Sequence, residues 1–288
     1  MRFSYQVGMS DADHYLPLAK AAEEAGYDGI TIADSICYPQ EASSKYPYNA
    51  DGSREFLESV PFIESLIGVS AMAAVTERIR FATFVYKVAV RQVAVVAKQV
   101  QSIQQLSNNR FDFGIGISPW EEDFAVCGVP WEKRGKRFDE QIDILRGLET
   151  GEFFGYDGEL IKMPANKMCP APTKPTPLLI GGHAEVALKR AARVGDGWMC
   201  AGADMEQLGK YIGRINELRE EYGTQDRPFK VFTTGQNAFT KEGIAELEDL
   251  GVTDVVIAFR NVYEMEPDKP LDEKIAMLQW YANEFING

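Results

Sequence analysis

Residues 108–120 read Asn108-Asn-Arg-Phe-Asp-Phe-Gly-Ile-Gly-Ile-Ser-Pro-Trp120. Glu121-Glu-Asp-Phe follows, and Gly128-Val-Pro-Trp-Glu-Lys-Arg-Gly-Lys-Arg-Phe138 then runs into a helical pattern. Phe111 to Ile117 is an apolar run of strand length with Gly114 and Gly116 at its end, and Ser118-Pro119 has the form of a helix start. Glycines there leave backbone N–H groups bare beside a helix N-terminus, which suits an anion such as phosphate. The position in mid-chain, after several strand–helix units, points to a barrel enzyme with a phosphorylated cofactor.

Working outward, short apolar runs alternate with amphipathic segments. The strands expected are Phe3–Val7, Gly29–Ala33, Ile79–Tyr86, Phe111–Ile117, Pro177–Gly181, Gly197–Cys200, Phe229–Thr234 and Asp254–Phe259. Helical patterns follow each in turn: Asp11–Ala25, Val60–Ala74, Val93–Leu106, Arg134–Leu148, Ala184–Val194, Met205–Tyr222, Lys241–Leu250 and Leu271–Phe285. Apolar strands each followed by a helix mean a parallel sheet covered by helices, and eight units favour closure into a barrel. The fold class expected is α/β, a single (β/α)8 TIM barrel spanning residues 1–288, with no internal repeat or linker. Gly26, Gly195 and Gly251 read as stops at helix C-termini. Two insertions exceed what a barrel needs: Ser35 to Ser59 after strand two, and Gly151 to Thr176 before strand five. The second contains a candidate hairpin, Phe153–Tyr156 with Leu160–Met163.

Composition narrows the function. The 288 residues are 45% hydrophobic and carry a net charge of −13, a surface that repels nucleic acid and anionic membranes. No apolar run reaches the roughly 18 residues of a membrane helix, and the N-terminus reads as a strand, not a signal peptide. Cys37, Cys127, Cys169 and Cys200 are scattered without a Cys-x-x-Cys pair, which favours reduced thiols and a cytoplasmic location. With only His14 and His183, a zinc site has no support and no metal is expected. His14 reads as a solvated helix residue. A serine hydrolase would need a Gly-x-Ser-x-Gly elbow that is missing. Paired acids such as Glu121-Glu122 read as solvated helix faces.

Gly114-x-Gly116-x-x-Pro119 lacks the third glycine of a dinucleotide fingerprint and follows the fourth strand, not the first. Leu178-Leu-Ile-Gly181-Gly182-His183 is a second strand that ends on glycines and opens a helix. The two loops are neighbours in a barrel, so they either share one phosphate or form two tight turns without a ligand. His183 bonds that phosphate or caps the helix. Asp34, at the tip of strand two, either projects into the barrel mouth or caps the next turn. Lys87 and Arg91, after strand three, neutralise an acidic ligand or decorate a loop.

These residues together resemble the luciferase-like monooxygenase superfamily, and within it the oxidoreductases that use the deazaflavin coenzyme F420. The resemblance spans essentially the whole chain. It is carried by Leu106-Ser-Asn-Asn-Arg-Phe-Asp-Phe-Gly-Ile-Gly116, Gly128 to Glu140, Pro177-Leu-Leu-Ile-Gly-Gly182, and Ala191-Ala-Arg-Val-Gly-Asp-Gly-Trp198. It implies a cofactor in the barrel mouth, its phosphate held by loops matching Gly116, Ile117 and Ser118 and Gly181 and Gly182. It implies a non-proline cis peptide between Phe84 and Val85, behind the ring. It places Asp34 near the ring as a catalytic residue. It places Ser35 where sugar-phosphate dehydrogenases of this branch often carry a proton-transferring histidine. Tyr38, Tyr46, Trp120 and Arg260 are expected on the substrate side, and Arg54, Lys87, Arg91 and Arg260 toward an acidic cofactor tail or an anionic substrate. The activity implied is hydride transfer between F420 and a small organic molecule, in a homodimer. The alternatives are an FMN-dependent monooxygenase of the same fold and a non-catalytic barrel that binds a flavin or deazaflavin.

Overall fold

The structure, a computed structural model, describes every residue of the chain except 42–45, 47–51, 236 and 265, together with the side chain of Tyr263. Tyr48, one of the aromatic residues of the first insertion, lies outside the described residues.

Parallel strands close into a barrel. The strands are β1 (Arg2–Gln6), β2 (Gly29–Ile32), β3 (Arg80–Thr83), β4 (Tyr86–Lys87), β5 (Phe111–Gly116), β8 (Leu178–Gly181), β9 (Gly197–Cys200), β10 (Lys230–Thr234) and β11 (Asp254–Ile257), with β6 (Phe154–Asp157) and β7 (Lys162–Asn166) forming a separate antiparallel hairpin. The barrel runs β1–β2–β3–β5–β8–β9–β10–β11 and returns to β1, where Phe3 lies opposite Val255. β4 continues β3 beyond a kink and pairs Tyr86 with Ile115. Every residue of β2, β5, β9 and β11 is buried, because helices cover one face of the strand and the barrel core the other. Helix α3 (Val93–Leu106) shows how the outer layer attaches. Val93, Val96, Ala97, Val100 and Ile103 recur at spacings of three and four and are buried on one face.

Most of the expected elements form, and the differences have local causes. The second helix, α2 (Ser65–Ala73), begins at Ser65 and not at Val60, because Glu64 caps it by accepting the Ile67 amide at 2.9 Å. The expected third strand is split into β3 and β4 by a cis peptide between Phe84 and Val85. Ser118-Pro119 does not itself open a helix; the short helix α4 runs over Glu121–Val126. Gly26 and Gly251 adopt the expected left-handed conformation. Gly195 does not (φ −81°), and its small size is needed because a Cβ there would stand 2.8 Å from the Ala191 carbonyl.

The opening stretch organises the lower end of the barrel. Asn108 and Asn109 both take positive φ, which swings Arg110 back under α2. The Arg110 guanidinium then donates to the carbonyls of Ala73, Thr76 and Ile79. The Ala73 carbonyl is one that the end of α2 leaves open, and those of Thr76 and Ile79 belong to the connection that leads into β3. Two residues later, buried Asp112 accepts from Arg80 on β3 and Lys230 on β10, each at 2.5 Å. One carboxylate thus ties three strands across the barrel floor.

Burial alone would raise the Asp112 carboxyl pKa, but Lys230 and Arg80 outweigh it and hold the group below its ordinary value. The stability it contributes is present above the unfolded carboxyl pKa of about 4 and is lost as pH falls through the lowered folded value. Asp112→Ala should cost about 3 kcal/mol at neutral pH, since it strands two cations around a buried gap. Urea titrations at neutral and acidic pH check this. An unchanged midpoint at neutral pH, or a loss that does not shrink on acidification, contradicts it.

Candidate active site

The loops that follow the barrel strands enclose a cavity of about 750 Å³. Of the residues singled out in the sequence, Asp34, Ser35, Tyr46, Phe84, Val85, Lys87, Ile117, Trp120, Gly181, Gly182 and Arg260 line it. Gly116, Ser118, His183, Tyr38, Arg54 and Arg91 do not.

Val85 shapes the wall. The kink at Phe84–Val85 turns the valine side chain toward the ends of β5 and β8. A Cβ on Gly116 would stand 2.8 Å from one Val85 methyl, and a Cβ on Gly181 would stand 2.8 Å from the other. One on Gly114 would fall 1.9 Å from the Thr83 carbonyl oxygen. The three glycines of the two motifs are therefore required by close approach of the kinked segment. Steric need for bare backbone is thus present at both strand ends without any ligand. Gly182 has a further constraint, a φ of +121°, and its carbonyl accepts the Trp198 indole N–H at 2.8 Å. That bond accounts for the tryptophan that ends the Ala191–Trp198 stretch.

Asp34 is tied down on both oxygens. Arg91 donates to them in a bidentate pair at 2.7 and 2.9 Å, the Lys87 amide donates to Oδ2 at 2.9 Å, and the Ser65 hydroxyl donates to Oδ1 at 3.3 Å. The Asp34 side chain has no exposed area. Arg91 in turn lies 3.9 Å over the Tyr86 ring, and the Tyr86 hydroxyl donates to Glu64, the cap of α2. Burial pushes the Tyr86 phenol well above its ordinary pKa, so it stays a neutral donor. This network fixes the segment from Tyr86 to Arg91 against β2 and α2. The carboxylate of Asp34 faces the Arg91 guanidinium, and the residue meets the cavity without offering a free acid. Ser35 stands beside it on the cavity wall.

The Ser118 hydroxyl is also committed, donating to Asp123 in a short bond and accepting the Trp120 amide at 3.1 Å. Asp123 accepts a second time, from Lys87 Nζ at 2.7 Å. The first turn of α4 carries Glu121, Glu122 and Asp123, so its positive end already faces carboxylates. Ser118 and Gly182 nevertheless keep backbone N–H groups with no backbone acceptor among the described residues. His183 stacks on Tyr211 at 5.1 Å with Nε2 3.3 Å from the Cys200 thiol, and burial lowers its pKa, which keeps the ring neutral. Tyr38 packs with Phe56, Leu57 and Trp120 behind the cavity wall.

Arg260 pairs with Asp268 at 3.0 Å, and buried Lys274 donates to Asp268 at 2.5 Å, to Ser10 at 3.1 Å and to His14 Nδ1 at 3.0 Å. His14 is thus an acceptor for a buried lysine, not a solvated residue. Asp11, His14 and Asp268 converge there, and the Lys274 ammonium supplies the positive charge between them. Nothing local in the sequence signals this cluster, whose members lie up to 264 positions apart. The Lys87–Asp123 pair was missed for the same reason, although the placement of Lys87 after strand three was a usable sign.

The Gly181→Val substitution should cost about 2 kcal/mol of unfolding free energy by overpacking Val85. Val85→Ala in the same chain should restore most of that loss. Urea titration of the double-mutant cycle measures the coupling; strictly additive effects contradict the packing described.

Comparison with known proteins agrees with this architecture. The luciferase-like monooxygenase family model matches residues 3–261. An uncharacterized protein of Mycobacterium tuberculosis is 51% identical over 287 residues, covering 99% of each chain. The F420-dependent glucose-6-phosphate dehydrogenase of Amycolatopsis mediterranei is 29% identical over 206 residues, covering 70% of this chain and 56% of the relative. Among solved structures, the monooxygenase RslO1 from Streptomyces bottropensis superposes with a TM-score of 0.76 at 16% identity, covering 100% of this chain and 99% of that one. In fold and in sequence, the chain belongs to the luciferase-like monooxygenase family.

Proposed function

We propose that the protein is an oxidoreductase that transfers hydride between coenzyme F420 and a small organic substrate. The observation that carries this reading is the composition of the cavity. Its wall is largely apolar and aromatic, and it carries four cations, Lys87, Arg260, Lys269 and Lys274, beside three acids, Asp34, Glu266 and Asp268. That combination suits a flat ring system bearing an acidic tail. The F420-dependent relative supports the cofactor class.

The residues present fit such a group. The Gly182 amide, on the cavity wall, would serve its phosphate, and Phe84 and Val85 would back its ring. Once bound, the deazaflavin would supply two-electron hydride chemistry. The protein contributes the rest. Asp34 and Arg91 would act as positioning residues that hold the kinked segment, and the apolar wall would exclude water. Ser35, in place of a histidine, gives the cavity a neutral hydroxyl. That favours a substrate other than a sugar phosphate.

A second reading is an FMN-dependent monooxygenase of the same fold. Fluorescence titration of the purified protein with each cofactor separates the two. F420 should bind at micromolar concentration or tighter and FMN much more weakly, with turnover of the bound deazaflavin independent of oxygen. Tight FMN binding with oxygen-dependent turnover overturns the proposal. F420 binding without turnover under any donor or acceptor would indicate a binding protein.

A further inference from the structure

We propose that the Trp120 wall of the cavity is a subsite for a carboxylate on an otherwise apolar substrate. Among the described residues, the buried side-chain nitrogen donors without a hydrogen-bond acceptor are Arg54 Nη1, Arg54 Nη2 and Trp120 Nε1. All three belong to one spot, since the Arg54 guanidinium lies 5.1 Å from the centre of the Trp120 ring. Lys87 Nζ sits 4.5 Å from the same ring and reaches the cavity. An ammonium carries three donors, and Lys87 spends one on Asp123. The Glu122 carboxylate stands 3.8 Å from Arg54 Nη1, beyond hydrogen-bond reach. Buried donors are normally satisfied, so a cluster of unfilled ones beside a cavity calls for an acceptor from outside the protein.

The local charges choose the acceptor. Two cations and two carboxylates already balance here, so a dianionic phosphate would meet Glu122 and Asp123 unfavourably. A monoanionic carboxylate matches the planar fork of a guanidinium. The walls beside it choose the rest of the molecule: Tyr46, Leu57 and Phe62 line the cavity and pack in the same cluster as Trp120. The Arg54 and Trp120 nitrogens have no exposed area, so a carboxylate reaches them only when the cavity wall shifts. The substrate assignment rests on the reading of this cavity as the reaction chamber. The other source of a carboxylate is the acidic tail of the cofactor.

The test uses the full chain without cofactor, titrated with trans-cinnamate and with its neutral counterpart cinnamamide and followed by calorimetry. Cinnamate should bind about tenfold more tightly than cinnamamide. Arg54→Gln and Lys87→Met should each remove most of that preference while leaving cinnamamide affinity and the far-UV circular dichroism spectrum unchanged. Arg54→Lys should retain part of it. Equal affinities in the unmutated protein, no binding of either compound at millimolar concentration, or a preference that survives both substitutions overturns the proposal. A parallel F420 titration of Arg54→Gln separates the two sources. Unchanged F420 affinity is expected, and a tenfold loss would give the subsite to the cofactor tail and overturn the substrate assignment. If the unmutated protein binds no F420 while the cinnamate preference holds, the proposed function fails and this subsite stands.

Discussion

The architecture of the barrel mouth depends on one buried ion pair, Asp34 with Arg91. A carboxylate without exposed area must have its charge met, and here a bidentate guanidinium meets it from across the kink. The same carboxylate accepts the Lys87 amide, which sets where the chain resumes pairing with β5. Val85 is thereby held between Gly116 and Gly181, and the Lys87 side chain is directed at Trp120 and Asp123. Removing either partner would leave a buried charge uncompensated and free the segment that forms the cavity wall.

This arrangement gives the family motifs a physical content. Asn108 to Gly116 is a sequence of separate tasks along one strand. Two left-handed asparagines make the turn, Arg110 closes the end of α2, Asp112 ties the floor, and the glycines clear space for the kink. Glu140, which ends the second motif, accepts the amides of Glu159, Leu160 and Ile161 and so holds the hairpin against α5 (Arg134–Leu148). Motifs that read as signatures of a cofactor are, in large part, the joints of the barrel scaffold.

Much of the fold was legible in the sequence, because strand and helix periodicities are local and each unit repeats them. The eight barrel strands and the hairpin follow from that pattern. Boundaries were less legible where a cap or a steric contact decides them, as at Glu64 and Gly195. The site was legible only in part. Asp34, Ser35, Val85, Trp120, Gly181, Gly182 and Arg260 do reach the cavity. Ser118 and His183 were named for a role toward phosphate that their side chains are not placed to play, since Asp123 and Cys200 occupy them. The pairings of Lys87 with Asp123 and of Lys274 with Asp268, Ser10 and His14 could not be read in advance. They depend on which strand ends the barrel brings side by side.

The central claim is that the loops around Val85 hold a deazaflavin. Amide hydrogen exchange with and without cofactor tests it most directly, because it reports on the backbone N–H groups themselves. The account predicts that F420 slows exchange in segments 84–87, 114–120 and 178–184, and that FMN at the same concentration does not. Protection by FMN alone, or protection by F420 confined to other parts of the barrel, would contradict it.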